Sequence, residues 1–285
     1  MSKALDKIRA GNDGLVCPKV GSWAETKYRL VSLYAELFAT GMKKKWKKRV
    51  YIDLYSGAGY SQIQGTSIVL KGSPILALTV KDPFDKYIFC EEDTELLAAL
   101  QTRAKRIVPN ADVSYVAGNC HAKIDEICAL IPKALPGDNV LSLCFVDPFD
   151  FGIKFETLHK LSAFFIDFLV LLAIGMDANR NYDHYVDGNS TKIDEALGNT
   201  EWRERWRRSG ARRREFRSFL AVEFARSMES LRYLPQELHQ MKQVRSDEKN
   251  LPLYHLALFS RSQTAYRFWE DVRKYATDQP SLFEE

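Results

Sequence analysis

Apolar and polar positions follow two different periods along the chain, and their order predicts its secondary structure. Apolar residues recur at helical spacing over residues 23–42, a pattern that ends near Gly41. Short apolar runs then take turns with further helical patterns. The predicted strands are 50–55, 87–90, 113–116, 141–146 and 168–174, and the predicted helices are 73–80, 93–107, 124–134 and 155–165. Strands this uniformly apolar are covered on both faces, so five β–α repeats predict a doubly wound, mostly parallel α/β sheet.

Two regions depart from this rhythm. Residues 1–22 are polar and contain glycine, which predicts a mobile or loosely docked N-terminal arm. Residues 179–235 are polar, then rich in arginine and helical, which predicts an insertion or cap. Beyond them, residues 240–245 and 253–260 are two β-like runs with a short polar connection, typical of an antiparallel hairpin. The main domain is therefore expected to comprise residues 23–178 and 236–285, with seven strands and a final amphipathic helix.

The composition limits the class of protein. A chain of 285 residues with 46% hydrophobic and 27% charged residues is ordinary for a globular protein, which excludes disorder and collagen. An odd number of cysteines, some inside apolar runs, favours a reducing compartment. They are Cys17, Cys90, Cys120, Cys128 and Cys144. Residues 161–176 are apolar but interrupted by Asp167 and too short to span a membrane, and no secretory core opens the chain. We expect a soluble, cytoplasmic protein.

Positive charge is concentrated in two places. Residues 201–217 contain eight arginines and three glutamates, a local charge of +5 against +4 for the whole chain. Residues 43–49 carry six positive charges around Trp46. One interpretation is a solvated surface. The other is nucleic-acid binding, in which cations neutralise phosphates and Trp46, Trp202 and Trp206 act as stacking platforms. The candidate phosphate contacts are Arg203, Arg207, Arg208, Arg212 and Arg213.

Four predicted strands are followed by residues that carry chemistry. Residues 51–59 comprise a strand with Asp53 near its end and a turn containing Gly57 and Gly59, where the backbone can approach a ligand closely. Residues 91–93, Asn119 and residues 147–150 follow the next three strands. Ligands of open α/β sheets bind outside the carboxyl ends of the strands, so these groups predict one crevice. The alternative is that the acids cap helices and the glycines only turn corners.

These motifs resemble those of class I S-adenosylmethionine-dependent methyltransferases. The resemblance rests on DLYSGAG at residues 53–59, the acid after the second strand, GN at 118–119 and DPF at 147–149. The terminal hairpin is similar to the antiparallel seventh strand of that Rossmann-like fold. More narrowly, residues 25–28, the long gap from Gly59 to the helix start at 72–74, and residues 145–149 resemble the three-Cys-motif partner protein family.

The resemblance implies a role for each site residue, with S-adenosylmethionine as the cofactor. It implies that Asp53, Ser56, Gly57 and Gly59 contact the methionine part of the cofactor. It further implies that Glu91 binds the ribose and Asn119 the adenine, although Glu92 and Asp93 remain alternatives to Glu91. Asp147 would face the reaction centre. In enzymes that methylate amino groups of nucleic acid, such an acid and a following aromatic residue, here Phe149, hold and stack the flipped base.

Other chemistries lack their motifs. The sequence contains no P-loop, no Gly-x-Ser-x-Gly and no His-Glu-x-x-His, and Cys120, His121 and Cys128 lack the paired spacing of a zinc site. The resemblance to class I methyltransferases thus leads us to expect a methyltransferase that acts on nucleic acid, DNA or RNA, and we expect it to bind no metal. The alternative is a catalytically silent partner protein that works through protein or nucleic-acid contacts, with a three-Cys-motif protein as its partner. A phage-defence setting fits either.

Overall fold

Seven strands form the central sheet of a computed structural model, which describes residues 7–134, 137, 139–174, 181–245 and 252–275. The strands are β3 (Lys48–Asp53), β6 (Lys86–Glu91), β7 (Val113–Ala117), β8 (Val140–Val146), β9 (Ile166–Leu172), β10 (Lys242–Arg245) and β11 (Pro252–Phe259). Their order is β7-β6-β3-β8-β9-β11-β10, and β11 is antiparallel to both of its neighbours while the first five strands are parallel. The predicted doubly wound, mostly parallel seven-stranded sheet with an antiparallel hairpin is confirmed.

Helices cover both faces of this sheet. They are α1 (Ala24–Met42), α2 (Ser73–Leu78), α3 (Thr94–Ile107), α4 (Ile124–Leu130), α5 (Phe155–Leu161), α6 (Tyr182–Val186), α7 (Lys192–Leu197), α8 (Trp202–Ser209), α9 (Phe216–Ser230) and α10 (Gln263–Tyr275). One core lies beneath α1, α2, α3 and α10, and the other beneath α4, α5 and the helices from α7 to α9. Successive residues of β3 divide between the cores, because side chains of a strand alternate between its faces. Helix α4 ends before the predicted residue 134, since Ile131 is extended and precedes a proline.

A second, small sheet joins the N-terminal arm to the glycine turn. Its strands are β1 (Arg9–Ala10), β2 (Lys19–Val20), β4 (Tyr60–Ile63) and β5 (Val69–Lys71). Strands β4 and β5 fill the gap between Gly59 and the start of α2 as a hairpin, and the arm pairs with both of them. Arg103 of α3 is 1% exposed and clamps the arm, donating to Asp13 Oδ1 at 2.7 Å and to Val16 O at 2.9 Å. The described part of the arm is therefore docked rather than loose.

The arginine-rich segment folds as helices around its own aromatic residues. Trp202 and Trp206 lie four residues apart on α8 and are 0% and 4% exposed. Their indole nitrogens donate to Asp194 Oδ1 at 2.7 Å and to the Tyr182 hydroxyl at 2.8 Å. The prediction that these two tryptophans are stacking platforms is wrong, because positions i and i+4 share one helix face and here that face is buried.

Some predicted features lie outside the described residues. These are residues 1–6 of the arm, residues 175–178 of the main domain with 179–180 at the start of the insertion, the turn at 246–250 and residues 276–285. Among the helices that are described, none is long and apolar enough to cross a membrane.

Candidate functional site

The four groups of candidate residues meet at one edge of the sheet. Asp53 and Glu91 are the last residues of β3 and β6, and Asp147 directly follows β8. Asn119 follows β7 by two residues. Because β7, β6, β3 and β8 are parallel neighbours in that order, their carboxyl ends form a continuous row. The fold therefore brings together the residues that the sequence singles out in these four segments.

The turn after β3 leaves backbone open beside this row. The Ser56 amide and hydroxyl donate to Cys90 O at 2.9 and 3.1 Å, which fastens the turn to β6. Gly57 has φ +60°, and no atom of the described residues lies within 4 Å of the place where a Cβ would sit. Gly59 has φ +80°, and a Cβ there would lie 2.9 Å from Leu100 Cδ1. Gly59 is thus required by packing, whereas Gly57 faces open space that a ligand can enter.

Of the three acids after β6, Glu91 faces the glycine turn. Its Oε2 accepts from the Gly57 amide at 2.7 Å. Asp93 instead caps α3 and accepts from the amides of Glu95 and Leu96. Glu92 is exposed and accepts from Asn119 Nδ2 at 3.3 Å. The structure thus favours Glu91 among the alternatives that the sequence leaves open.

Asp53 is a fully buried carboxyl with incomplete hydrogen bonding. Its Oδ1 accepts from the Tyr55 amide at 3.3 Å, while Oδ2 has no hydrogen-bond partner among the described residues. Burial raises the pKa of Asp53 to about 7, and the charges of Asp147 and Glu91 act in the same direction. The nearby Ser73 hydroxyl acts against this rise without forming a bond to Oδ2. A buried acceptor without a hydrogen-bond partner lowers the stability of the folded protein unless a ligand binds it.

Lys27 is a site residue that the sequence prediction misses. It lies on α1, is 5% exposed, and its Nζ donates to Asp147 Oδ2 at 2.6 Å. Burial acts to lower the pKa of Lys27, but the charges of Asp147, Tyr28 and Asp53 together raise it to about 12. A signal was present in the sequence, since Lys27 lies three residues after Ala24 and four before Val31 on the apolar face of the helix.

Phe149 presents an aromatic ring to solvent beside this ion pair. It is fully exposed, more than any other large apolar side chain in the described residues. The following residue, Asp150, accepts from Lys192 Nζ of α7 at 2.7 Å. The loop that carries Phe149 is therefore tied to the helical insertion, while the ring itself is available for stacking.

His121 anchors the far end of the same loop. Its Nε2 lies 3.0 Å from Gly152 O and its Nδ1 lies 2.7 Å from Thr157 Oγ1. Because a carbonyl only accepts, Nε2 carries the proton and Nδ1 accepts from the threonine hydroxyl. Burial lowers the pKa of His121. Within the described ranges, no three His, Cys, Asp or Glu side chains are grouped so as to hold a metal ion.

The candidate arginines fall into two groups. Arg203 is largely buried and donates to Asp194, to Tyr185 O and to Ser190 O, so it stabilises the insertion internally. The remaining four are exposed on the insertion, with Arg208 paired to Glu204 on the same helix and Arg213 stacked on the Tyr182 ring. They are Arg207, Arg208, Arg212 and Arg213.

The second basic cluster does not share the crevice. Residues 43–49 precede β3 or form its first residues, whereas Asp53 ends that strand. They therefore lie at the amino edge of the sheet, opposite the edge that carries the candidate site.

Comparisons with known proteins add a likeness of fold. No family model and no curated protein matches the sequence. Among solved structures, the chain is similar to Trm1 from Pyrococcus horikoshii in complex with S-adenosyl-L-methionine, with 8% identity and a TM-score of 0.46, covering 93% of this chain and 64% of that chain. It is similar to geranyl diphosphate C-methyltransferase from Streptomyces coelicolor A3(2), with 13% identity and a TM-score of 0.44, covering 92% and 95%. A protein from Legionella pneumophila has 15% identity and a TM-score of 0.36, covering 50% of this chain and 66% of that chain. The chain thus spans slightly less than two thirds of the Trm1 and Legionella chains. Similarity at these levels assigns no function, because one fold hosts many activities.

Proposed function

We propose that this protein is an S-adenosylmethionine-dependent methyltransferase that acts on nucleic acid. The observation that carries the proposal is Oδ2 of Asp53, a buried carboxylate oxygen without a hydrogen-bond partner among the described residues, at the start of the glycine turn. A cationic ligand would offset the cost of burying that charge. S-adenosylmethionine carries two cationic groups, a sulfonium and an ammonium.

The neighbouring residues fit the other parts of this cofactor. Glu91 would accept hydrogen bonds from the ribose hydroxyls, as acids after the second strand do in open α/β nucleotide sites. Asn119 would bind the adenine edge through its exposed amide. Ser56, Gly57 and Gly59 would line the methionine part, where Gly57 leaves space against the backbone.

The acceptor would be held by the residues after β8. When bound, the cofactor would supply an electrophilic methyl group. Asp147 would accept a hydrogen bond from the acceptor group, and Lys27 fixes the orientation of that carboxylate through Oδ2. Phe149 would stack on a base that has been turned out of its helix. We propose that the insertion, residues 179–235, forms a cap. Its exposed arginines would contact phosphates.

A second candidate function is a catalytically silent partner protein of the three-Cys-motif type, including one in phage defence. One observation favours it: Asp147 is already engaged by Lys27, so one of its oxygens is not free for a substrate. Such a protein would keep the crevice and would bind a partner, for example a three-Cys-motif protein, through the N-terminal helix α1 and the insertion.

Calorimetry with S-adenosylmethionine tests the crevice. We expect heat of binding for the wild type, its loss in Asp53→Ala, and no change in Asp82→Ala, an acid that pairs with Lys43 on the outer surface. Absence of binding by the wild type would overturn the cofactor proposal.

Labelled methyl transfer into total nucleic acid tests the reaction. Transfer that is lost in Asp147→Ala and sensitive to nuclease digestion of the product supports the methyltransferase. Cofactor binding without transfer to nucleic acid would favour the silent partner protein.

A further inference from the structure

The amino edge of the sheet carries an exposed aromatic and basic surface that the crevice does not use. Trp46 precedes β3 and Phe165 precedes β9, and their ring centroids lie 5.6 Å apart at 54°. Phe165 is 61% exposed, although its carbonyl accepts from the Ser142 amide at 2.9 Å. We name this region, with Lys44, Lys45, Lys47, Lys48 and Arg232, the amino-edge surface.

Its aromatic rings rest on a rigid support. The Ser142 bond fixes the backbone of Phe165 at the start of β9, within the sheet. Asn139 Oδ1 accepts a hydrogen bond from the Lys47 amide at 2.9 Å, and Asn139 Nδ2 donates to Lys45 O at 3.2 Å. These two bonds hold the loop that carries Trp46. An exposed ring on a fixed backbone offers a stacking face without the entropy cost of ordering a loop.

The cations of this surface have few competing partners. Lys44, Lys45, Lys47 and Lys48 are exposed, and no ion pair joins any of them to another described residue. The flanking basic residues differ: Lys43 pairs with Asp82, and Arg49 is buried against Asp85. Four clustered ammonium groups without carboxylate partners form a positive potential that attracts a polyanion.

A cavity of about 490 Å³ continues the surface beyond Phe165. Its lining includes Phe164, Phe165, His159, Arg232 and Arg261. Arg261 donates to the carbonyls of Phe164, Ser162 and Leu231, so a cation forms part of the wall. Arg232 has φ +67°, a left-handed conformation that favours glycine after a helix. Arg232 is exposed and lines the cavity, so it adds a second cation there.

We propose that the amino-edge surface binds single-stranded nucleic acid. The lysines and Arg232 contact phosphates, and unpaired bases stack on Phe165 and enter the adjoining cavity. A paired duplex hides the base faces that this aromatic pair would cover, so the surface prefers single strands. The proposal goes beyond the methyl-transfer site, because this surface lies at the opposite edge of the sheet and does not depend on the cofactor.

Fluorescence anisotropy with a labelled single strand of about 20 nucleotides tests the proposal, with the matching duplex and polyglutamate as comparison probes. Phe165→Ala should weaken single-strand binding about tenfold, the scale of one base–aromatic stack, without changing thermal unfolding. Lys44→Glu with Lys47→Glu should reduce the slope of log affinity against log salt by about 1.4 between roughly 50 and 200 mM. Lys105→Glu with Arg106→Glu on α3 makes the same change of charge elsewhere and should leave binding unchanged.

The outcomes separate this proposal from the methyl-transfer site. Binding that responds to Phe165→Ala but not to Phe149→Ala supports the amino-edge surface, even if S-adenosylmethionine does not bind. Binding that responds only to Phe149→Ala overturns it and leaves the methyl-transfer site intact. Equal affinity for duplex and single strand, or preference for polyglutamate, also overturns it.

Discussion

Replacing Asp53 by asparagine should stabilise the protein at neutral pH and at the same time abolish cofactor binding. The wild-type carboxyl is fully buried, and burial raises its pKa to about 7 from a value of 3.8 in the unfolded chain. The folded protein therefore holds this proton more tightly than the unfolded chain does. It follows that the free energy of unfolding falls as the pH rises between these two values, the reverse of a salt-bridged acid.

The magnitude follows from the two pKa values. A difference of about three pH units destabilises the folded state by about 4 kcal/mol at pH 8 and about 2 kcal/mol at pH 5. Asparagine has the same shape and does not titrate, so any change in its hydrogen bonds is independent of pH. Between pH 5 and pH 8, the stability of the variant should therefore rise by about 2 to 3 kcal/mol relative to the wild type.

Urea denaturation of both proteins across this pH range measures the difference. Asp82→Asn is the control, because hydrogen bonds from Lys43 and Thr40 lower the pKa of Asp82 below its ordinary value of 3.8. This carboxyl is therefore ionised in both the folded and the unfolded chain above pH 5, so the variant and the wild type should have parallel pH profiles across this range. Parallel pH profiles for Asp53→Asn and the wild type would refute the reasoning, since the buried carboxyl would then titrate as it does in the unfolded chain. Undiminished binding of S-adenosylmethionine by Asp53→Asn would show that the charge of this carboxyl does not hold the cofactor.

Three further predictions concern the same edge of the sheet. Lys27→Met should lower the free energy of unfolding by about 2 to 4 kcal/mol by leaving the partly buried Asp147 carboxylate without its partner. Adding Asp147→Asn should restore most of that loss in denaturation experiments, and no recovery would contradict the pairing. Phe149→Ala should change stability by less than about 0.5 kcal/mol, because the ring is exposed, yet should reduce methyl transfer to nucleic acid. Unchanged transfer would exclude stacking by this ring. Gly59→Ala should destabilise by about 1 to 3 kcal/mol and more than Gly57→Ala, since only Gly59 faces close side chains. Equal losses would contradict the packing argument.

The central sheet is predictable from the sequence because its buried strands are apolar along almost their whole length. All seven residues of β8 and of β9 are buried, so their sequences are apolar runs in which Asp167 is the one charged residue. The terminal hairpin is predictable for a local reason, since a short polar connection joins its two strands. The convergence of Asp53, Glu91 and Asp147 then follows from the fold, because it requires only that parallel strands end at one edge.

Contacts between segments that are far apart in the sequence could not be predicted from it. Strand β1 pairs with β5 although α1 and β3 lie between them in the sequence, and strands of two and three residues are too short to show a periodicity. Lys27 and Arg103 are charged residues inside apolar helix faces, and their partners come from elsewhere in the chain. The spacing of Trp202 and Trp206 on one helix face is consistent with their burial. The sequence prediction places them in solvent instead because arginines surround them.

The guanidinium of Arg103 connects the N-terminal arm to the glycine turn, the bend that faces the crevice. Besides Asp13, it donates to Ala58 O at 2.7 Å, so one side chain holds the arm and the residue between the two glycines. Proteolytic removal of the arm would take away the Asp13 carboxylate and the carbonyls of Leu15 and Val16, which fix the guanidinium in place, and would thereby loosen its hold on Ala58. Occupancy of the crevice and protease resistance of the first segment of the chain should therefore rise and fall together.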